Sequence, residues 1–340
     1  MLNRKRPLAF AGCALLLMAA WSSWGVGQAH AKTTWDYYLF TGITHPVSVY
    51  LKGFADDVTK RTNGELTIIT RPAGELPYRA TEVLKAVGDG LVQGGSAYAG
   101  FISGSAPLSA VTGQPFLVRT YEDLEKAWPV MQGDVDREFA RLGVKRLFYW
   151  SWPPQNFWGN GEPIRNVEGF SGRKLRTTDP KQAEMLRRLN ASSVTLTTAE
   201  VPVAMERGVM AGVSTAAFNI IGAKWYEFLK WGRMDEIHIG GPNYEVVNIE
   251  AYNALPANIR KILDDTAAEW QRKMLREIAA AEGQARARLR DEFGIRLIIP
   301  DQDQAKRLTA LMAPYWEEWA ATQGDEGRAL MRHVRQALGK

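Results

Sequence analysis

The sequence predicts an α/β protein with two lobes and a long C-terminal helix. Strand-like runs alternate with helical runs from Thr34 onward, a rhythm typical of α/β domains with a largely parallel sheet. The rhythm restarts after residues 147–152, which we expect to cross between the lobes. Apolar residues at helical spacing then extend over residues 256–293, a helix long enough to brace both lobes.

The first 31 residues have the organisation of a secretory signal peptide. Residues 4–6 are basic, residues 8–20 are apolar, and Ala29-His30-Ala31 is a small-x-small cleavage site. The apolar run is too short for a comfortable membrane-spanning helix, and no later stretch approaches about 20 apolar residues. We therefore expect cleavage after Ala31 and a periplasmic mature chain of 340 − 31 = 309 residues that does not itself span the membrane.

Charge and cysteine content argue against nucleic-acid binding and against thiol chemistry. The chain has 42 lysines and arginines and 37 acidic residues, but three of the basic residues lie in the signal peptide, which leaves 39 against 37. This near-neutral mixture indicates no nucleic-acid partner. The only cysteine, Cys13, also lies in the signal peptide, so we expect neither disulfides nor a thiol nucleophile. A lipoprotein signal through Gly12-Cys13 is less favoured, because few apolar residues precede the cysteine.

Residues 32–152 are expected to form the first part of lobe I. The predicted strands cover residues 34–40, 66–70 and, as strand or loop, 91–98; the predicted helices cover residues 47–62 and 81–87. His45-Pro46 precedes the first helix and Gly64 suits its C-terminal stop.

Residues 153–240 are expected to form lobe II. The predicted strands cover residues 174–176, 194–196 and 209–215, and the predicted helices cover residues 180–189 and 201–207. Asp179 is a good N-cap, Pro180 suits the first helical position, and Gln182 occupies the capping-box position. Arg176 thus ends a strand beside the free amides of a helix N-terminus, where a carboxylate could be held. Pairing with a surface acid is the alternative for a lone arginine.

The remaining residues are expected to connect the lobes. Residues 241–285 should return to lobe I and form the bracing helix, which Gly283 interrupts. Residues 286–340, with a late strand at 295–300, should form a C-terminal segment on lobe II.

No catalytic set is visible in the sequence. Gly94-Gly-Ser96 lacks a glycine that a nucleophile elbow requires, and no phosphate-binding loop is present. The mature histidines are His45, His238 and His333, spaced too widely to suggest a metal site. We therefore expect no catalytic residues, metal or cofactor. His45 suits a turn or a helix cap, although it could also line a cleft.

Aromatic and amide side chains cluster where the lobes should meet. Residues 149–158 contain five large rings and two amides, among them Trp152, Gln155 and Asn156. Core packing is the usual role of such rings. Their position beside a crossing loop equally suits the lining of a ligand cleft.

With these elements in place, the chain resembles the DctP family, the periplasmic solute-binding proteins of tripartite ATP-independent periplasmic (TRAP) transporters. The resemblance covers nearly the whole mature chain and rests on the order of the following segments: His45-Pro46 with Phe54 and Val58, Pro72-Ala-Gly74-Glu-Leu76, Pro115-Phe116-Leu117, Pro163-Ile164, Gly172-Arg-Lys174-Leu-Arg176, Pro202 with Met205-Glu-Arg-Gly208-Val-Met-Ala-Gly212, and Asn248 with Leu255-Pro256. It implies the two-lobed periplasmic-binding-protein (Venus-flytrap) fold, a small-molecule carboxylate as ligand and the membrane subunits of a TRAP transporter as partners.

The resemblance also implies roles for particular residues. In this family the arginine that ends the Gly-x-Lys-x-Arg run holds the ligand carboxylate, and Arg176 matches it. Thr215 follows the Gly-Val-x-x-Gly run, at a position that often contacts ligand. The other candidate ligand-binding residues are Phe40, His45, Glu75, Tyr98, Trp152, Gln155, Asn156, Phe218 and Asn219.

One departure from the family pattern bears on the ligand. Many members carry a second arginine upstream of the first, but here no basic residue lies between Arg146 and Arg165. This favours a monocarboxylate with an aromatic or other apolar body. Two alternatives stay open: an exported carboxylate-processing enzyme that uses His45 or Glu75 as a base, and a ligand sensor for a signalling receptor.

Overall fold

Two β-sheets divide the molecule into two lobes. The computed structural model describes residues 32–340, so the predicted signal peptide, its cleavage after Ala31 and Cys13 lie outside the described residues. The strands are β1 (Thr33–Tyr38), β2 (Leu66–Arg71), β3 (Gly94–Tyr98), β4 (Val144–Ser151), β5 (Asn156–Gly159), β6 (Lys174–Thr177), β7 (Ser192–Thr195), β8 (Gly212–Thr215), β9 (Trp231–Arg233), β10 (Pro242–Asn248) and β11 (Arg296–Ile298). The predicted two-lobed α/β class is confirmed.

Each sheet is mostly parallel and is interrupted by one antiparallel strand that arrives from the other lobe. The sheet of the first lobe has the order β2-β1-β3-β10-β4, and β10 is antiparallel to both of its neighbours. The sheet of the second lobe has the order β11-β9-β5-β8-β6-β7, and β5 is antiparallel to β8 and β9. The parallel neighbours β6 and β8 therefore end at the same edge of this sheet.

Helices cover the sheets and link the lobes. They are α1 (Pro46–Arg61), α2 (Val83–Gly88), α3 (Ala99–Ile102), α4 (Tyr121–Arg141), α5 (Pro180–Arg188), α6 (Val201–Glu206), α7 (Ala217–Gly222), α8 (Ile249–Asn253), α9 (Ala257–Asp291), α10 (Gln302–Thr322) and α11 (Gly324–Leu338). None of the helices among residues 32–340 combines the length and apolar character needed to cross a bilayer.

Two chain crossings pair with each other and form the hinge. The prediction that residues 147–152 cross between the lobes is wrong for most of that range, because β4 is a full strand of the first sheet. The crossing follows β4 instead. There the amide of Gln155 donates to the carbonyl of His238 over 2.8 Å, and the amide of Gly240 donates to the carbonyl of Trp152 over 3.0 Å. A side chain at Gly240 would collide with Trp152, so glycine permits this close pairing.

Helix α9 braces both lobes. It packs against α1 and β4 of the first lobe and against α7 of the second. The expected interruption at Gly283 is wrong: α9 runs unbroken through this residue, because a single glycine lowers helix stability by only about 1 kcal/mol.

The C-terminal segment is shared between the lobes. Strand β11 pairs with β9 in the second sheet. Helix α11, however, packs against α4 of the first lobe, and the indole of Trp316 in α10 donates to the carbonyl of Pro115 over 2.9 Å. The segment therefore does not lie on the second lobe alone, and its last helix covers the first.

Candidate functional site

A small cavity lies between the lobes at the edge where β6 and β8 end. It leaves about 300 Å³ free of protein atoms. The residues that line it are Phe40, Tyr98, Phe101, Trp152, Gln155, Arg176, Thr178, Thr198, Thr215 and Asn219. Seven of the predicted ligand-binding residues are therefore brought together here.

Arg176 is the charged group of the cavity. It is only 2% exposed, and two backbone carbonyls hold its guanidinium: Nε donates to Leu196 over 2.9 Å and Nη1 donates to Ser214 over 3.1 Å. The carbon of the guanidinium also lies 5.6 Å from the centre of the Trp225 ring. These contacts hold the guanidinium in one position.

This guanidinium has no carboxylate partner of its own among residues 32–340. Burial lowers the pKa of Arg176 to about 10, and the negative charges of Asp179 and Glu200 partly oppose this shift from a distance. The side chain therefore stays charged at neutral pH, buried and without an ion pair. Such a charge is costly unless a partner is supplied, and a ligand carboxylate would supply it.

The N-terminus of α5 is already occupied. Asp179 is its N-cap, as predicted, and its Oδ1 accepts from the amides of Lys181 and Gln182 over 2.9 and 3.2 Å. The Gln182 side chain donates to Asp179 Oδ2 and to Thr178 Oγ1, rather than returning to the cap backbone. The expectation that a ligand carboxylate could use these amides is therefore wrong. Of the two groups predicted to hold a carboxylate, only the Arg176 guanidinium is still available.

Trp152 forms the apolar wall of the cavity. Its ring contacts rings from both lobes at centroid distances of 4.9–6.3 Å; these rings belong to Phe40, His45, Tyr98, Trp150 and Phe218. Its indole N–H donates to Asn243 Oδ1 over 3.3 Å, and Asn243 in turn donates to Ser96 and Glu245. Because the indole N–H is engaged inside the first lobe, the ring presents only carbon atoms to the cavity.

His45, Asn219 and Thr215 connect the lobes through buried hydrogen bonds. His45 is the N-cap of α1, and its Nδ1 accepts from the amide of Val47 over 3.1 Å. Its Nε2 lies 3.3 Å from Asn219 Oδ1, and Asn219 Nδ2 donates to Thr215 Oγ1 over 3.1 Å. Burial lowers the pKa of His45 to about 4, so the imidazole is neutral at pH 7. The expected capping role is confirmed.

Four predicted residues lie outside the cavity wall. His45 and Phe218 form the layer behind it, against Trp152. Asn156 faces away: it donates to the carbonyl of Pro154 and accepts from the amide of Glu236, because successive strand residues point to opposite faces. Glu75 lies in a different surface groove, 3.8 Å from Arg71.

The cluster at residues 149–158 contributes a single ring to the cavity. Trp152 lines it, whereas Tyr149 packs on Trp128 at 3.9 Å between centroids. Phe157 packs on Phe170, and the Trp158 indole donates to the carbonyl of Thr215. Core packing thus accounts for most of the cluster.

Sequence reasoning missed three lining residues: Phe101, Thr178 and Thr198. Thr178 lies two positions after Arg176, on the same face of the extended chain, so the alternation of strand side chains could have identified it. Thr198 follows β7, whose carboxyl end lies beside that of β6, the edge where α/β sheets bind ligands. Phe101 belongs to the four-residue helix α3, and no local signal marks it.

Metal ligation finds no support in the described part of the chain. Among residues 32–340, no group of three or more histidine, cysteine or acidic side chains is placed to hold a metal ion.

Comparison with known proteins identifies similar chains. The sequence model of the family described as bacterial extracellular solute-binding protein, family 7 (DctP), matches residues 40–323. The protein y4mM of Sinorhizobium fredii is 28% identical over 235 residues, which cover 68% of this chain and 42% of that protein. The monocarboxylate 2-oxoacid-binding periplasmic protein all3028 of Nostoc is 26% identical, over 69% of this chain and 65% of its own length. The chain thus spans less than two thirds of the length of these two relatives.

A solved structure shares the whole architecture. A TRAP solute-binding protein from a marine metagenome, described as specific for pyroglutamate and holding co-purified pyroglutamate, is 25% identical, with a TM-score of 0.83. The match covers 90% of this chain and 99% of that one. The predicted two-lobed periplasmic-binding fold is therefore confirmed.

Proposed function

Because the chain belongs to the bacterial extracellular solute-binding proteins of family 7, we propose that it captures a small monocarboxylate with an apolar body between its lobes. It then delivers this ligand to the membrane subunits of a TRAP transporter. The observation that carries the proposal is Arg176, a buried and charged guanidinium that faces the interlobe cavity without a carboxylate partner among the described residues. A planar guanidinium pairs with a carboxylate through two parallel hydrogen bonds.

The other lining residues support a single carboxylate on the ligand. Arg176 is the only basic residue among those that line the cavity, so a second carboxylate would be buried without a counter-charge. Phe40, Phe101 and Trp152 present carbon to the ligand, which suits an aromatic or aliphatic body. The names of two similar proteins agree with a single carboxylate on the ligand, since one is described as binding monocarboxylate 2-oxoacids and the other pyroglutamate.

The geometry gives no support to the enzyme alternative. A general base must be free to accept a proton within hydrogen-bonding reach of the substrate. Both ring nitrogens of His45 are engaged, with Val47 and with Asn219, and Glu75 lies in another groove. A ligand sensor would use the same cavity, and only its protein partner would differ.

The test combines identification of the native ligand with titration of defined acids. The protein purified from periplasm is denatured, and the released small molecules are analysed by mass spectrometry. Calorimetric titration then compares pyroglutamate, 2-oxobutanoate and phenylacetate with the dicarboxylate succinate. We expect a monocarboxylate to co-purify and at least one monocarboxylate to bind with one-to-one stoichiometry more tightly than succinate. Tighter binding of succinate, or chemical conversion of the recovered ligand, would overturn the proposal.

We also propose that export removes the first 31 residues. The basic residues 4–6, the apolar residues 8–20 and Ala29-His30-Ala31 support cleavage after Ala31. The intact mass of periplasmic protein should correspond to a chain that begins at Lys32. A chain that retains Met1, or one that carries lipid on Cys13, would contradict this.

A further inference from the structure

A directed chain of hydrogen bonds leads from the first lobe to the cavity wall. It begins at the amide of Val47 and passes through His45 and Asn219 to the hydroxyl of Thr215, with donor–acceptor distances of 3.1, 3.3 and 3.1 Å. The three side chains are at most 4% exposed. Asn219 and Thr215 both line the cavity, so the chain ends where a ligand would lie.

The backbone sets the direction of this chain. The amide of Val47 can only donate, so His45 Nδ1 must keep its lone pair, and the neutral imidazole carries its proton on Nε2. That N–H requires an acceptor, which turns the Asn219 oxygen toward His45 and the Asn219 NH₂ group toward Thr215. Oγ1 of Thr215 accepts this N–H, and its own proton is then left for another acceptor.

We propose that His45 and Asn219 are positioning residues that make Thr215 a hydrogen-bond donor to the carboxylate anchored by Arg176. The proposal rests on the proposed function, because it presumes a carboxylate ligand. Arg176 Nη1 donates to the carbonyl of Ser214, the residue before Thr215 on β8, so the guanidinium is held next to the residue that carries the hydroxyl, and both residues line the cavity. Both can serve one carboxylate.

The chain also ties ligand recognition to cleft closure. His45 belongs to the first lobe, whereas Asn219 and Thr215 belong to the second. When the lobes separate, Asn219 loses the donor that orients its amide, and the Thr215 hydroxyl is free to rotate and act as acceptor or donor. The closed state therefore presents a fixed donor, which favours a carboxylate over a ligand that offers an N–H group at this point.

A first experiment tests the direction of the chain without any ligand. Nitrogen NMR of histidine-labelled mature protein at pH 7 reports which ring nitrogen carries the proton, and the spectrum of His45→Asn assigns the His45 signals. We expect the Nε2–H tautomer for His45. The Nδ1–H tautomer, or a doubly protonated ring, would overturn the proposal whatever the protein binds.

A second experiment measures coupling between the two ends of the chain, by calorimetric titration with pyroglutamate as the probe. His45→Asn keeps an N-cap side chain, because asparagine is among the best N-caps, but is too short to reach Asn219. Thr215→Val removes the hydroxyl and keeps the shape. We expect Thr215→Val to weaken binding roughly 10-fold or more, as for loss of a hydrogen bond to a charged group. Adding His45→Asn to it should change affinity by less than about twofold.

Matched variants separate this coupling from general loosening of the closed state. Thr215→Ser keeps the hydroxyl and should restore most of the affinity. Arg79→Gln removes a different contact between the lobes, and its effect should multiply with that of Thr215→Val, since independent sites are additive in free energy. If the double variant His45→Asn/Thr215→Val lost affinity by the product of the two single-variant factors, the proposal would be overturned. Failure of the wild type to bind pyroglutamate would count against this probe as ligand, while the NMR result still decides the direction of the chain.

Discussion

Arg79 of the first lobe donates to Glu200 of the second lobe across 2.7 Å, two residues beyond the cavity-lining Thr198. The two side chains are 63% and 36% exposed, so this ion pair is expected to contribute about 0.2–1 kcal/mol to closure. Arg79→Gln should therefore speed ligand dissociation by no more than about fivefold. The effect should shrink at high salt. Stopped-flow fluorescence at two salt concentrations measures both. Arg187→Gln, which breaks an exposed pair within the second lobe, is the control; an equal change in both variants would contradict the assignment.

Replacing Arg176 should remove carboxylate binding almost completely. Truncating one partner of a desolvated charge pair loses on the order of 2–5 kcal/mol, a loss of affinity of at least about 30-fold. Arg176→Lys should lose nearly as much affinity, because an ammonium cannot form the two parallel hydrogen bonds. Calorimetry of folded variants measures this, with the part-exposed Arg173 and exposed Arg187, each replaced by alanine, as controls. Arg176→Ala binding within about threefold of wild type would show that the anchor lies elsewhere.

The two tryptophans that flank the hinge should respond differently to ligand. Trp152 lines the cavity, whereas Trp158 is buried in the second lobe. Ligand binding should therefore change the tryptophan fluorescence of the wild type and of Trp158→Phe, and should change that of Trp152→Phe much less. Trp152→Ala should weaken binding of phenylacetate more than binding of 2-oxobutanoate, because the lost contact is with the larger apolar body. Equal losses for both acids would indicate that Trp152 serves packing alone.

Acid should destabilise the wild type more than His45→Asn. Burial lowers the pKa of His45 to about 4, against about 6.5 in the unfolded chain, so the unfolded state binds more protons between these values. Stability is therefore lost as pH falls from about 6.5 toward about 4, by up to about 1.4 kcal/mol per pH unit. Urea denaturation at pH 7, 6 and 5 should show a shallower decline for the variant. Parallel curves would contradict the prediction. His238 and Glu245, whose pKa values burial also shifts, titrate in both proteins and cancel from the comparison.

Two glycine-to-alanine changes should have opposite signs. A Cβ at Gly222 would lie 2.6 Å from His45 Nε2 and 2.8 Å from Pro46 Cδ, so Gly222→Ala must push α7 away from the first lobe and should lower the free energy of unfolding by about 1–3 kcal/mol. A Cβ at Gly283 would meet no atom within 4 Å, and the residue lies inside α9. Gly283→Ala should therefore raise the free energy of unfolding by about 0.5–1 kcal/mol. Thermal and urea denaturation compare the two, and the same sign for both would contradict the contact at Gly222.

Elements with strong local signals could be predicted from the sequence, and those fixed by distant contacts could not. Asp179-Pro180 and His45-Pro46 mark the starts of α5 and α1, because caps act through neighbouring residues. Strand β10 is buried along its whole length and is antiparallel to two strands from far earlier in the chain. Its polar residues Asn243 and Glu245 are as deeply buried as its apolar ones, which hydrophobic patterning cannot anticipate, so sequence reasoning did not assign it. Helix α4 contains Pro129, which weakens its helical pattern.

The residues of the candidate site also differ in how well the local sequence marks them. Arg176 and Thr215 were identified through resemblance, and the structure places both in the cavity. Glu75 and Asn156 were also candidates, but the path of a loop and the pleat of a strand direct their side chains elsewhere. The role of Asn219 depends on His45, 174 positions earlier. No spacing rule connects residues that meet only when two lobes close.

Helix α9 is expected to slow ligand dissociation by resisting separation of the lobes. It is about 50 Å long at 1.5 Å per residue, and it packs on α1 and β4 of the first lobe. Its Glu282 accepts from the amides of Ala217 and Phe218, the first residues of α7 in the second lobe. Because α9 is attached to both lobes, its bending stiffness opposes their separation. Separation of the lobes must therefore bend α9 or break the hydrogen bonds of Glu282. A helix that lines no part of the cavity thus contributes to the free-energy barrier for ligand release.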